Sequence, residues 1–206
     1  EPNGTYSLDP EGSITVVDIS GGIANLTSAN ATQIMLTQFN GQEVALRAQG
    51  IRIFSTSATV AQDLEPEYVA VSDDNTKAYV TLQENNAILV LNLVTNTIES
   101  LLPLGYADYS AGSGNSLDAS DQSGAILNTS GIPIKGAYMP DAISYSTIGG
   151  NGYVFMANEG DSREFGSVTD ANRISSSTFN SLDATAFPDA AILRNNKFLG
   201  RLSALK

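Results

Sequence analysis

Two groups of acids carry the chemistry that this sequence can perform. Asn158, Glu159 and Asp161 stand with Arg163 and Glu164 where an apolar stretch gives way to a loop, and Gly160 frees the backbone between them. Carboxylates and amides on an irregular backbone can converge on Ca²⁺, which takes about six to eight oxygen ligands. Arg163 can hold a carboxylate in place or grip a phosphate through two parallel hydrogen bonds. The plainer alternative is a solvated turn in which Arg163 pairs with a neighbouring acid. Glu65, Glu67 and Glu84 form the second group. Glu67 opens one expected strand and Glu84 closes the next, so an antiparallel pairing brings them to one end. Asp141 and Glu159 occupy the matching places further along. Acids repeated at one structural position make a carboxylate rim suited to a cation, or else each acid caps its own turn. The expected metal ligands are therefore Glu67, Glu84, Asn158, Glu159, Asp161 and Glu164. Calcium is the expected ion, and another divalent metal would suit the same oxygens. Asp108, Asp118 and Asp121 are spaced irregularly and lack the Asp-x-Asp-x-Asp-Gly order of an EF-hand loop, so a polar loop is the expectation there.

Other chemistries are excluded by what is missing. The 206 residues contain no His, no Cys and no Trp. A Ser-His-Asp triad lacks its imidazole, and thiolate nucleophiles, disulfides and thiolate metal centres lack their sulfur. No local base or elbow motif singles out a Ser or Thr nucleophile. The net charge of −12 repels a phosphate backbone, so nucleic acid is not an expected partner. No apolar run approaches the roughly 18 residues needed to span a bilayer.

The elements that must position these acids are strands. Charged residues make up only 16% of the chain, and Ser, Thr, Asn and Gly fill the difference. That profile fits a β-rich extracellular protein with frequent turns. Residues 12–20 read as a β-branched strand ending at Gly21-Gly22. A short helix follows, with Asn40 as its cap, Glu43 as capping-box partner and Gly50 as its stop. Residues 51–54 then read as extended. Residues 66–98 predict a meander of up to four antiparallel strands, with turns at 73–76, 84–86 and 95–96.

The pattern then returns. Pro140-Asp-Ala-Ile-Ser-Tyr145 matches Pro66-Glu-Tyr-Val-Ala-Val71, and Tyr153-Val154 matches Tyr79-Val80, at a constant offset of 74 residues. The two repeated tyrosines, Tyr79 and Tyr153, are expected to pack in the core. A repeated strand–turn–strand unit of this kind is the mark of a β-propeller blade. Residues 105–137, rich in Gly, Ser and Asp, read as a long inserted loop. The expected fold is all-β: a partial β-propeller of about three blades, around 12–20, 66–100 and 140–165, in one domain over residues 1–206. A ring needs about four to eight blades, so the chain reads as a fragment of a longer one, with a seven-bladed parent as the expectation.

Several longer stretches resemble the choice-of-anchor I family. They are Asp63-Leu-Glu-Pro-Glu-Tyr-Val-Ala-Val-Ser72 with Ala78-Tyr-Val-Thr-Leu-Gln-Glu-Asn-Asn-Ala87, Pro10-Glu-Gly-Ser-Ile-Thr-Val-Val-Asp18, Asn40-Gly-Gln-Glu-Val-Ala-Leu-Arg47, and Ala157-Asn-Glu-Gly-Asp-Ser-Arg-Glu164. Shorter matches at 117–121, 139–143 and 199–202 keep the same order along the chain. The resemblance implies a bacterial secreted or surface-anchored β-propeller, of a group often labelled alkaline phosphatase-like. It also implies relatives more than twice this length, so the remaining blades of a parent propeller are expected partners, with a surface polymer or protein as a further one. Two functions follow as expectations. One is an extracellular or cell-surface propeller that binds calcium and serves as a recognition or scaffold module. The other is a metal-dependent phosphoester hydrolase, in which acids such as Glu84, Glu159 and Asp161 would hold the metal ions.

Overall fold

A computed structural model of the chain describes residue 3, residues 8–166 and residues 168–206. In chain order, β1 (Ser13–Val17) and β2 (Ala31–Met35) come first, followed by the short helices α1 (Glu43–Gln49) and α2 (Val60–Asp63). The meander is β3 (Val69–Val71), β4 (Lys77–Leu82), β5 (Ala87–Asn92) and β6 (Thr97–Pro103). Four small strands follow: β7 (Tyr106–Asp108), β8 (Leu117–Asp118), β9 (Asn128–Thr129) and β10 (Lys135–Ala137). The long hairpin is β11 (Pro140–Ile148) and β12 (Asn151–Asn158). Then come β13 (Glu164–Phe165), β14 (Val168–Thr169), β15 (Ala171–Arg173), the helical turn α3 (Ala190–Leu193) and β16 (Ser203–Leu205).

All pairings among these strands are antiparallel. The described residues are all-β with a few short helices. The meander forms one four-stranded sheet in the order β3-β4-β5-β6, and the other sheets have two strands each. Among the described residues the sheets do not close into a barrel. Only the second expected blade has four strands. Around 12–20 the sheet is the pair β1-β2, and around 140–165 it is the pair β11-β12.

The meander forms because its sequence agrees with itself at every level. The strand β5, Ala87-Ile-Leu-Val-Leu-Asn92, is apolar on both faces and sits inside the sheet with Ala87–Leu91 buried. Three asparagines take the left-handed backbone conformation at the successive turns: Asn75 (φ 57), Asn86 (φ 52) and Asn96 (φ 52). Asparagine tolerates that region better than other residues with a side chain. Asp74 accepts from the Ser72 hydroxyl at 2.6 Å and from the Thr76 amide at 3.1 Å. Asn92 accepts from the Val94 and Thr95 amides at 2.9 and 3.0 Å.

The helix α1 starts later than the sequence predicts. Residues Leu36–Phe39 make a tight 3-10 turn that uses Asn40 to close it, which leaves Gln42 at the N-cap of α1. The Asn40 side chain instead accepts from the Ala61 amide at 2.8 Å, tying the turn to α2. The stop is where expected: Gly50 takes φ 95, and Ile51 donates back to the Leu46 carbonyl at 3.1 Å. Residues 51–54 pair in no strand, although Ile51 and Ile53 are buried.

The chain divides into two compact units. The first holds the residues up to Gly105 with Tyr138–Asp161, and the second holds Tyr106–Ala137 with Ser162–Lys206. Residues 105–137, read from the sequence as an inserted loop, thus carry the pairs β7-β10 and β8-β9 within the second unit.

In the first unit three β layers follow one another. The face of β4 and β5 that carries Ala78, Val80, Leu82, Leu89 and Leu91 belongs to a large core with Ile34 of β2, and Ile14 and Val16 of β1 pack against that core. The opposite face, with Ala70, Tyr79 and Ile88, packs on Ile143, Tyr145, Val154 and Met156 of β11-β12. Close approach also depends on Gly12, ahead of β1. A Cβ there would stand 2.1 Å from the Leu64 carbonyl oxygen. Gly12→Ala is expected to destabilise the chain by about 1–3 kcal/mol, because rigid backbone must move. Urea melts of the two proteins measure this.

Candidate functional site

The acid group at the head of the meander comes together in the first unit. Glu67 lies two residues before β3 and Glu84 two residues after β4, and the antiparallel register Val69↔Val80 puts both at the same end of the pair. Thr81, fully buried, builds the corner. Its carbonyl accepts from the Glu67 amide at 3.1 Å, and its hydroxyl accepts from the Tyr68 amide at 3.0 Å. The same hydroxyl donates to the Asp141 carbonyl at 3.2 Å, which brings β11 to the corner. Buried Gln83 reaches the same hairpin by donating to the Glu159 carboxylate at 3.2 Å. Arg52 donates to the Glu84 carbonyl at 2.5 Å.

The carboxyls crowd one another. Glu67 is pushed up to about 8, by partial burial first, then by the charge of Glu84 and a hydrogen bond to it, then by the charges of Asp141 and Glu65. Crowded carboxyls repel one another when all are ionised, which favours the protonated form of Glu67. Glu67 as a residue stays exposed, so dissolved salt reaches the pair and weakens the repulsion. A pocket of about 240 Å³ opens beside Glu67, lined also by Glu11, Gly12, Glu65 and Pro66.

Of the other expected site residues, only Glu159 reaches this corner, through its bond from Gln83. Asn158, Glu159 and Asp161 are exposed at the end of the first unit. Arg163 and Glu164 begin the second unit, where Glu164 is exposed in β13. The Arg163 side chain is turned inward: the residue is 1% exposed and its guanidinium stands 3.9 Å from the equally buried Asp170 carboxylate. Among the described residues, no group of three or more acids is arranged to hold a metal ion.

The acids of segment 105–137 are engaged locally. Asp108 accepts from the Ser110 amide at 2.8 Å, which holds its carboxyl below the usual range. Asp121 takes two hydrogen bonds from Arg201 at 2.7 and 3.0 Å, with the same effect. The tyrosines divide. Tyr79 stacks on Tyr145 at 5.7 Å between ring centroids, whereas Tyr153 is 47% exposed rather than in the core.

Sequence reasoning treats Glu84-Asn85-Asn86 as a simple turn and misses what its amides do. Asn85 donates to the Arg52 carbonyl at 2.7 Å and to the Asp63 carbonyl and carboxylate at 3.0 Å each. Asn86 accepts from the Tyr138 and Met139 amides at 3.0 Å each and donates to the Gly105 carbonyl at 2.7 Å. Both are fully buried. The available signal was a run of three amides and an acid directly between two apolar strands, richer in side-chain donors than a tight turn requires.

No curated protein and no solved structure matches this chain. A family model does: that of the choice-of-anchor I domain matches residues 1–206, and the chain belongs to that family.

Proposed function

We propose that this chain is a secreted or cell-surface β module that serves as a recognition or scaffold piece and takes up calcium at the Glu67–Glu84 corner. Membership of the choice-of-anchor I family points to surface association. The serial stacking of β layers in the first unit supports the partial-propeller reading, with further blades as partners.

The observation that carries the cation is the carboxyl pair itself. Glu67 is held well above the usual carboxylate range by partial burial and by the crowding of Glu84, with Asp141 and Glu65 adding negative charge. A hard divalent ion would relieve that repulsion better than one proton, and carboxylates are its preferred ligands. The pair as it stands is set up for a proton. Ion uptake therefore requires proton release and a rearrangement of the two side chains. Calcium is expected to bind with Kd on the order of 10⁻⁴–10⁻³ M, the range of extracellular modules.

A pH dependence follows with a definite sign. Glu67 holds its proton more tightly when folded than its ordinary value of 4.5. The folded state therefore carries more protons than the unfolded one between about pH 4.5 and 8, and stability falls as pH rises through that window. In calcium-free buffer the melting temperature is expected to drop across it, and less so at high salt. Glu67→Gln should remove this slope, and calcium should flatten it for the unaltered protein. Differential scanning calorimetry at a series of pH values reads all three. No geometric observation favours the hydrolase alternative. Its test is phosphoester turnover by the full-length protein with divalent metals supplied.

A further inference from the structure

Lys77, Asn92 and Glu99 stand on three neighbouring strands of the meander. The register places Lys77 of β4 directly opposite Asn92 of β5. On β6, Ile98 opposes Leu91 and Ser100 opposes Val90, so Glu99 is the extra residue of a bulge. A bulge re-aims the side chain it carries. Here the Glu99 carboxylate meets both of the others. Lys77 Nζ donates to its Oε2 at 2.6 Å, and Asn92 Nδ2 donates to its Oε1 at 3.0 Å. Asn92 Oδ1 accepts from the Val94 and Thr95 amides at 2.9 and 3.0 Å.

An ordinary ion pair across a sheet needs the lysine and the acid alone. The third residue gives the group the parts of an acyl transfer. The Lys77 amine is a nucleophile once it has lost its proton. Asn92 offers a carboxamide carbon whose oxygen already holds two N–H donors. Those donors would stabilise the negative charge that grows on the oxygen during attack. The one carboxylate of Glu99 touches both the attacking nitrogen and the nitrogen that leaves, so it can carry a proton from one to the other. Register and hydrogen bonds hold amine and carboxamide side by side, which lowers the entropy cost of bringing them together. The chain has no Cys, so a covalent tie between its strands has to use other side chains.

We propose that Lys77 and Asn92 join through an amide bond between their side chains, with Glu99 as the proton carrier. The Nζ–Cγ bond forms and the Cγ–Nδ2 bond breaks. The Lys77 ammonium first gives one proton to solvent. A second passes through Glu99 to Nδ2, which departs as ammonia. No oxidant and no cofactor enters. The product ties the start of β4 to the end of β5, and it does not depend on the cation reading. Its rate has a definite pH sign. Glu99, Tyr79 and Asp74 all favour the ammonium form of Lys77, whose side chain is 43% exposed to water. The free amine is therefore scarce near neutrality, and it rises about tenfold per pH unit below its titration.

The test is mass spectrometry of the full-length protein after incubation at about pH 7 and about pH 9, followed by trypsin digestion. Trypsin cuts after Lys77 only while that amine is free. Expected is a species lighter by one ammonia that forms faster at the higher pH. It keeps residues 53–135 as one peptide, with fragment ions that link Lys77 to Asn92. Lys77→Arg, which keeps the ion pair, and Glu99→Ala should both lack it, with folding of each variant checked by circular dichroism. An unchanged mass with complete cutting after Lys77 at both pH values would overturn the proposal. Loss of ammonia with Lys77 still cut would also overturn it, since the reaction would then lie at another asparagine. Loss of water would do the same, because Lys77 would then be joined to Glu99. A link that persists in folded Glu99→Ala would overturn the role given to Glu99.

Discussion

Asn86→Ala is expected to cost about 3–5 kcal/mol of stability, one of the two largest single effects in the chain. The side chain is fully buried and makes three hydrogen bonds to backbone. Two of them satisfy the amides of Tyr138 and Met139, where the chain re-enters the first unit. The third satisfies the Gly105 carbonyl, where the chain leaves it. Removing the amide strands two buried N–H groups and one C=O, and each unsatisfied group costs roughly 1–3 kcal/mol. Alanine also takes the φ of 52 less readily than asparagine does. Met139 is held at φ 46 by the same contact, so the loss propagates to the start of β11. Limited proteolysis should show new cleavage near 105 and 138 before the rest of the meander is cut. A melting curve unchanged by Asn86→Ala, with no new cleavage, would remove this residue from the account of the fold.

Arg163→Ala is expected to be comparably severe, at about 3–5 kcal/mol, the cost of leaving a buried charge without its counter-charge. Arg163 and Asp170 both have fully buried side chains, and the Arg163 amide also donates to the Asp170 carboxylate at 3.0 Å. The Asp170 amide returns a bond to the Arg163 carbonyl at 3.2 Å, and its carbonyl accepts from the Lys206 amide at 2.9 Å. The pair thus ties β13, β15 and the C-terminal strand β16 within the second unit. Arg163→Met with Asp170→Leu should lose less than either single change, because an apolar pair of similar volume leaves no charge stranded. Chemical denaturation of the three variants measures the order. A double variant less stable than both single ones would show that the charges themselves stabilise the unit.

How much of this was legible in the sequence differs by region. The meander was readable to its turns, because β5 is apolar throughout and Asp74, Asn86 and Asn96 mark its bends by their own chemistry. The 74-residue repeat foretold the hairpin β11-β12, since Tyr79-Val80 and Tyr153-Val154 fall at matching strand positions. Its layer differs because only two strands follow the pattern, and the chain then passes into the second unit. The helix cap was misplaced by two residues because Asn40 has two suitors: the α1 amides nearby and the Ala61 amide 21 residues away. Spacing along the chain cannot rank those. That Glu67 and Glu84 fall at one end of the paired strands was legible from the strand ends alone. The fate of Arg163 was not, since its partner Asp170 lies across a hairpin of two-residue strands too short to read as a pattern.

The central claim is that the Glu67–Glu84 corner exchanges the proton held by Glu67 for calcium. Isothermal titration of the full-length protein with calcium, at about pH 6 and about pH 8 and in two buffers of different ionisation heat, measures that exchange directly. Expected is binding that strengthens from pH 6 to 8, with protons released into the buffer at the lower pH and loss of binding in Glu84→Gln. The folded state of that variant is checked by circular dichroism. Absence of calcium binding at about pH 8, or binding of equal strength in folded Glu84→Gln, would contradict the claim.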